Sequence, residues 1–248
     1  MGERTSSSAE ASTPDPDSME AFFAEVAIVK SILERIRRAL VSLQRSHEES
    51  RAVTRSETMK RLRAEMNRTI EETSVVAREA KLRLENLDAS NARAATRPGA
   101  REGSSEQRTR QSVASSMKMK LKQQMAEFQD LRAKLSSEYK EVVERRYFAV
   151  TGSAADDATL DHLIETGESE TIFQKAIMEQ GRGQILDTVA EIQERHDAVR
   201  ELERKLMELH QIFLDMSVLV EAQGEMLDNI EAQVGKSVEY VQKGNVAL

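Results

Sequence analysis

Apolar positions along residues 18–148 fall into three stripes with helical spacing. The first follows Asp17-Ser-Met-Glu20, a cap residue with an acidic residue three positions later, which is a helix-start signature. Phe22, Val26, Val29, Leu33, Ile36, Leu40 and Leu43 then alternate in steps of four and three, so they share one face. Thr54-Arg-Ser-Glu57 repeats the capping pattern and opens a second stripe through Met59, Leu62, Met66, Thr73, Ala77, Ala80, Leu84 and Leu87. Residues 89–111 carry Pro98-Gly99 and Gly103 among Ser, Arg and Asn, and read as a loop. A third stripe through Val113, Met117, Leu121, Phe128, Leu131, Leu135 and Val142 predicts a helix from about Gln111 to Tyr147. Three helices of similar length, joined by one short and one long loop, predict an antiparallel three-helix bundle over 18–148.

The texture changes at 149–183. Thr151-Gly-Ser, Asp156-Asp157, Gly167 and Gly181-Arg-Gly183 punctuate a linker with room for short helical pieces around 158–166 and 170–179. From Gln184 to Leu248 the pattern becomes strict. Val199, Leu202, Leu206, Leu209, Phe213, Met216, Val220, Gln223, Leu227, Ile230, Val234, Ser237, Val241, Gly244 and Leu248 keep the three–four alternation, with Ile185, Val189 and Ile192 upstream. So long a seam specifies a coiled coil. Its polar member, Gln223, weakens packing but sets register and partner choice, and Gly224 follows it in the middle of the helix. Such a helix needs partner helices.

Composition supports an all-α chain. Its 248 residues include 32% charged and 4% aromatic side chains, three prolines and no tryptophan, and no proline follows Pro98. The absence of cysteine excludes a disulfide framework and thiolate metal sites. No apolar run is long enough to span a membrane, and residues 1–17 form a polar tail, predicted to be disordered, that lacks a secretory signal. Met1-Gly2 to Ser6 fits the loose myristoylation pattern, although Glu3 beside Gly2 is a poor context and a solvated tail explains the same residues. The net charge of −7 is unevenly spread: residues 1–148 are basic (28 Lys+Arg against 23 Asp+Glu), and residues 149–248 are acidic (8 against 20). The two halves can attract each other, while a solvated helix face explains either one alone. The basic half interleaves Lys and Arg with Glu and has no aromatic stacking platform, which argues against nucleic acid.

Catalytic and metal chemistry find little support. The histidines are His47, His162, His196 and His210. The last two stand two heptads apart, about 21 Å along a helix, too far to ligate one metal ion, and are expected at exposed or seam-flanking positions. No Ser-His-Asp set or phosphate-cradling glycine loop occurs, and no cofactor or metal site is expected.

Several separated blocks resemble the syntaxin family, specifically plant plasma-membrane and cell-plate syntaxins. His210-Gln-Ile-Phe-Leu-Asp-Met-Ser-Val-Leu-Val-Glu-Ala-Gln-Gly-Glu-Met-Leu-Asp-Asn-Ile-Glu231 is similar to the centre of a Qa-SNARE motif, and Glu191-Ile-Gln-Glu-Arg-His-Asp-Ala-Val199 to its opening. Further matches are His47-Glu-Glu-Ser50, Lys118-Met-Lys-Leu-Lys122, Glu138-Tyr-Lys-Glu-Val-Val-Glu-Arg-Arg-Tyr147, Val150-Thr-Gly152, Ile172-Phe-Gln-Lys-Ala-Ile177 and Glu179-Gln-Gly-Arg-Gly183. The resemblance implies a regulatory three-helix (Habc) bundle at 18–148, a linker at 149–183 and a SNARE helix at 184–248.

It places Gln223 at the ionic zero layer of a parallel four-helix bundle, opposite glutamines of other Q-type helices and an arginine of a vesicle R-SNARE. One planar guanidinium can satisfy several amide carbonyls there. Val199 to Val220 would form layers on the membrane-distal side, and Leu227 to Leu248 on the proximal side, with zippering toward the C-terminus drawing membranes together. The implied partners are a vesicle R-SNARE, other Q-SNARE helices (a two-helix Qbc protein, or Qb plus Qc), a Sec/Munc-family regulator and a disassembly ATPase acting through its adaptor. The family also implies a membrane anchor beyond Leu248, and thus a tail-anchored protein facing the cytosol. Met1–Glu10 lacks the acidic-hydrophobic peptide by which many plasma-membrane syntaxins hold their regulators. Leu160-Asp161 stands where animal plasma-membrane relatives carry a Leu-acidic pair that clamps the SNARE helix against the bundle. The competing reading is a structural coiled-coil scaffold without fusion activity; Gln223 and the preceding bundle favour the SNARE.

Overall fold

The structure is a computed structural model that describes residue 15, residues 17–166 and residues 182–221. Five helices occupy the described residues: α1 Met19–Ala52, α2 Ser56–Ala95, α3 Ser105–Thr151, α4 Asp157–Thr166 and α5 Arg182–Glu221. Every member of the first two predicted stripes is buried, and so are those of the third except Val113, which packs partly buried at the edge of the same core.

Directions follow from paired side chains. Arg93 bonds Asp17 and Arg83 bonds Glu25, so α1 and α2 are antiparallel. The Gln124 amide donates to the Leu33 carbonyl while His47 meets Glu138, so α1 and α3 run the same way. The last helix completes the set: Arg63 reaches Glu201 and Lys205 reaches Glu71, making α5 parallel to α2. It packs along the groove between α2 and α3, and Ala198, Leu202, Leu206, Leu209 and Ile212 join the core of α1–α3. The result is an up-down-up-down four-helix bundle within one chain.

Five helix boundaries depart from the expectation. The α1 N-cap is Ser18, whose hydroxyl accepts from the Ala21 N–H at 3.1 Å. Asp17 instead turns to the end of α2, accepting from the Ser90 hydroxyl and Arg93 at 3.0 Å each and pairing with Arg97 at 3.2 Å. Charge-assisted bonds to arginine outweigh a single cap bond, so the last residues of the predicted disordered tail are pinned. The α2 N-cap is Arg55, with no side-chain cap bond, so Thr54 does not form the predicted capping box; Glu57 sits in the first turn, where it complements the helix dipole. The loop predicted at 89–111 contracts to 96–104, because α2 continues to Ala95 and α3 starts at Ser105 behind the Ser104 cap. Arg110 explains much of that extension. Its guanidinium is buried, lies 5.0 Å from the Phe22 ring centroid and bonds Glu106 and the Asp17 carbonyl. Finally, α3 runs to Thr151 rather than Tyr147, and Gly152 ends it with φ 72°, donating to the Phe148 carbonyl at 2.9 Å.

The linker piece expected at 158–166 is α4, started by the Asp156 carboxylate accepting from the Thr159 N–H at 2.7 Å. The piece expected at 170–179 lies outside the described residues. The helix expected from Gln184 begins at Arg182.

Ile70 is fully buried on α2, whereas Val75, on the far side of the same helix, is 62% exposed. Ile70→Ala is expected to cost about 2–5 kcal/mol in urea unfolding, and Val75→Ala to stay within about 0.5 kcal/mol of the parent.

Candidate partner-binding face of the last helix

The seam of α5 carries the candidate site. Val199, Leu202, Leu206 and Leu209 are all buried, the last three in the core of α1–α3. Phe213, Met216 and Val220 lie within α5, but their side chains are outside the described set, as are Gln223, Leu227, Ile230, Val234, Ser237, Val241, Gly244 and Leu248. The buried stripe is wider than the predicted seam. With Val199 at heptad position a and Leu202 at d, a third column at position g is buried too: Glu191, Ala198, Lys205 and Ile212. A helix packed in a two-helix groove covers more than the two-column seam of a simple coiled coil.

Charges line both edges of this stripe. Arg63 of α2 is within 3.5 Å of Glu194, Asp197 and Glu201. Lys205 is buried to its ammonium, which meets Glu71 at 2.6 Å and Glu201 at 3.2 Å. The Gln129 amide donates to the Leu206 carbonyl at 3.2 Å. The basic–acidic attraction inferred from composition is thus realised locally around Arg63, and Lys205–Glu71 runs in the opposite sense.

At the N-terminal end of the stripe sits a buried ionic group. The Glu191 carboxylate accepts from Arg195 Nε at 2.7 Å and from Arg146 Nε of α3 at 3.2 Å. Both arginines also donate to the Val53 carbonyl, at 3.2 and 3.0 Å, and Arg195 donates to the Ser50 carbonyl at 2.9 Å. These carbonyls belong to the C-terminal end of α1, where backbone acceptors lack helical partners and carry partial negative charge. In the sequence Glu191 and Arg195 belong to the block that resembles a SNARE opening, where no long-range partner is legible. Their i,i+4 spacing was the available signal.

The linker helix leans on the same face. Leu160 and Leu163 are buried together with Tyr139, Val143 and Val199, and the Arg200 guanidinium donates to the Ile164 and Glu165 carbonyls at 3.3 Å each. Asp161 is exposed and pairs with Lys140 of α3 at 3.2 Å, while Leu160 is buried in the apolar cluster that also holds Val199 of α5. Burial pushes the Tyr139 phenol well above its usual value. His196 flanks the seam, its ring 6.3 Å from that of Tyr139, and His162 is exposed. Among the described residues no group of His, Asp and Glu could hold a metal, and no helix is long and apolar enough to cross a membrane.

A bundle that packs its own heptad seam against itself defines a helical assembly protein, and the comparisons say of which class. A family profile described as Syntaxin matches residues 16–177, and one described as SNARE domain matches residues 190–248. The chain is 53% identical to Syntaxin-132 of Arabidopsis thaliana over 230 residues, covering 93% of this chain and 76% of that protein. It is 40% identical to the Syntaxin-related protein KNOLLE of the same plant, covering 92% of this chain and 73% of that one. A solved chain from the Unc18-syntaxin 1 complex of Monosiga brevicollis superposes with a TM-score of 0.64 at 31% identity, covering 90% of this chain and 91% of that one. The chain belongs to the syntaxin family. Syntaxins are SNARE proteins, not enzymes, and this one is a Qa-SNARE of vesicle fusion.

His47 provides a pH test of the bundle under this face. It is buried, 2.7 Å from Glu138, with Arg51, Lys134 and Glu48 nearby. Burial holds its imidazole below the ordinary value of 6.5 despite the pull of Glu138. The unfolded chain therefore takes up a proton first, and stability present above that value falls as pH drops below it. The melting temperature is expected to fall between about pH 7 and about pH 5.5, and His47→Asn to flatten that dependence in a calorimetric pH series.

Proposed function

We propose that this chain is a target-membrane Qa-SNARE whose helix 184–248 zippers with other Q-type helices and a vesicle R-SNARE into a parallel four-helix bundle. Gln223 is its zero-layer residue, and Val199 through Leu248 are its layers. The three-helix bundle regulates it by covering the same face. One observation carries this reading: Val199, Leu202, Leu206 and Leu209, the residues assigned to layers, lie buried against the chain's own helices. A face can be covered by one set of neighbours at a time, so partner helices must displace α5 from the α2/α3 groove. Burial of each large layer side chain contributes roughly 1.5–3 kcal/mol in either state, so exchanging one covering for the other changes apolar burial little at these four layers.

Leu160-Asp161 serves as the linker switch in this reading. Leu160 is buried in the cluster that holds Val199, and Asp161 pairs α4 with Lys140. The solved relative comes from a complex with Unc18, which supports a regulator of that family as the ligand of the closed chain. A disassembly ATPase acting through its adaptor returns the spent chain to this state. The similarity to plant syntaxins supports action at the cytosolic face of the plasma membrane or cell plate.

Mixing this chain with a vesicle R-SNARE helix and the remaining Q-type helices tests the assignment. A detergent-resistant complex with a sharp gain in helical circular dichroism is expected. A homodimer that ignores those helices would instead establish the scaffold reading. Leu160→Ala with Asp161→Ala is expected to speed association with the partner helices, and an unchanged rate would remove the linker from the regulation.

A further inference from the structure

The apolar layers of α5 do not tell its own bundle from foreign helices, because leucine and valine at positions a and d suit either covering. Arg195 and Glu191 differ. Arg195 falls at a seam position, three residues after Ile192 and four before Val199, where dry helix packing calls for an apolar side chain. Its guanidinium is nevertheless buried and bonds Glu191, Ser50 and Val53 through Nε and Nη2. Glu191 has no exposed surface, and its second oxygen is taken by Arg146. Only Glu191 and Arg195 of this set belong to α5. The α1 carbonyls and Arg146 belong to the bundle.

We propose that Glu191 and Arg195 are the specificity-determining residues by which α5 selects its own bundle over partner helices, locking to Arg146 and to the C-terminal carbonyls of α1. The inference rests on the reading of α5 as a SNARE helix that exchanges between two coverings. The lock also sets register. Sliding α5 by one heptad, about 10 Å, would return leucines to leucine sites, but it would leave a buried carboxylate and guanidinium opposite apolar neighbours. Removing one member of a buried ionic group costs far more than the group contributes as a whole, since the survivors stay buried and unpaired. The assembled complex is indifferent to the lock, because its layers begin at Val199.

The test follows association of the whole chain with a vesicle R-SNARE helix and the other Q-type helices by stopped-flow fluorescence. Arg195→Ala and Glu191→Ala are each expected to raise the association rate about tenfold or more, while the melting temperature of the assembled complex stays at the parent value. Arg195→Lys, which keeps the charge but loses the fork that bridges three acceptors, is expected to fall between; it also serves if Arg195→Ala does not fold. Unchanged rates for these variants, with a faster Leu160→Ala/Asp161→Ala chain, would overturn the lock and leave the closed state standing. Unchanged rates for all of them would overturn the closed-state reading, and the lock with it. A complex that melts lower when Arg195 is replaced would show that the residue works in both coverings, which also overturns the proposal.

Discussion

The structure depends on one constraint: the apolar face of α5 has to be covered, and the groove between α2 and α3 covers it. Leu202, Leu206 and Leu209 fill the space that a three-helix bundle leaves open along one side, so bundle and last helix form one core. Each therefore limits what the other can do. The bundle gains a fourth wall, and the helix loses Leu202, Leu206 and Leu209 from its exposed surface. Apolar burial is nearly blind to which neighbour supplies it. In the proposed zippering the same residues would serve a second assembly without a change of chemistry.

Direction and register come from polar contacts at the ends and edges of that core. Asp17 ties the start of α1 to Ser90, Arg93 and Arg97 near the end of α2, while Glu191, Arg195 and Arg146 tie α5 to the other end of α1. Lys118, buried on α3, pairs with Asp88 of α2. Buried ionic groups add little net stability, yet they tolerate only one arrangement. An up-down bundle of heptad stripes needs such markers, since its apolar repeats alone permit slippage.

Much of this was legible in the chain. The stripes of α1, α2 and α3, with Val113 only partly so, and the seam residues of α5 from Val189 to Leu209 are buried where periodicity puts them, because a period of 3.6 residues and a single apolar face leave little choice. Helix ends were read less well. Asp17 looks like a cap but pins Ser90, Arg93 and Arg97, all more than seventy residues later, and Arg55 replaces Thr54 as the start of α2. Local capping rules cannot anticipate such partners. The loop around Pro98 was drawn too wide for the same reason: Arg110 reads as a surface residue until Phe22 and the Asp17 carbonyl are placed beside it.

By itself the sequence determined the helical class, the order of bundle, linker and seam, and the family, because heptad periodicity and blocks such as Glu191–Val199 and His210–Glu231 are local properties of the chain. Tertiary structure alone decided that the seam lies against its own bundle, that position g is buried beside a and d, and that Glu191 and Arg195 find Arg146 and the end of α1. Those outcomes depend on which surfaces meet across 45 to 145 residues of chain, and a charged residue shows its role only when its partner is in place.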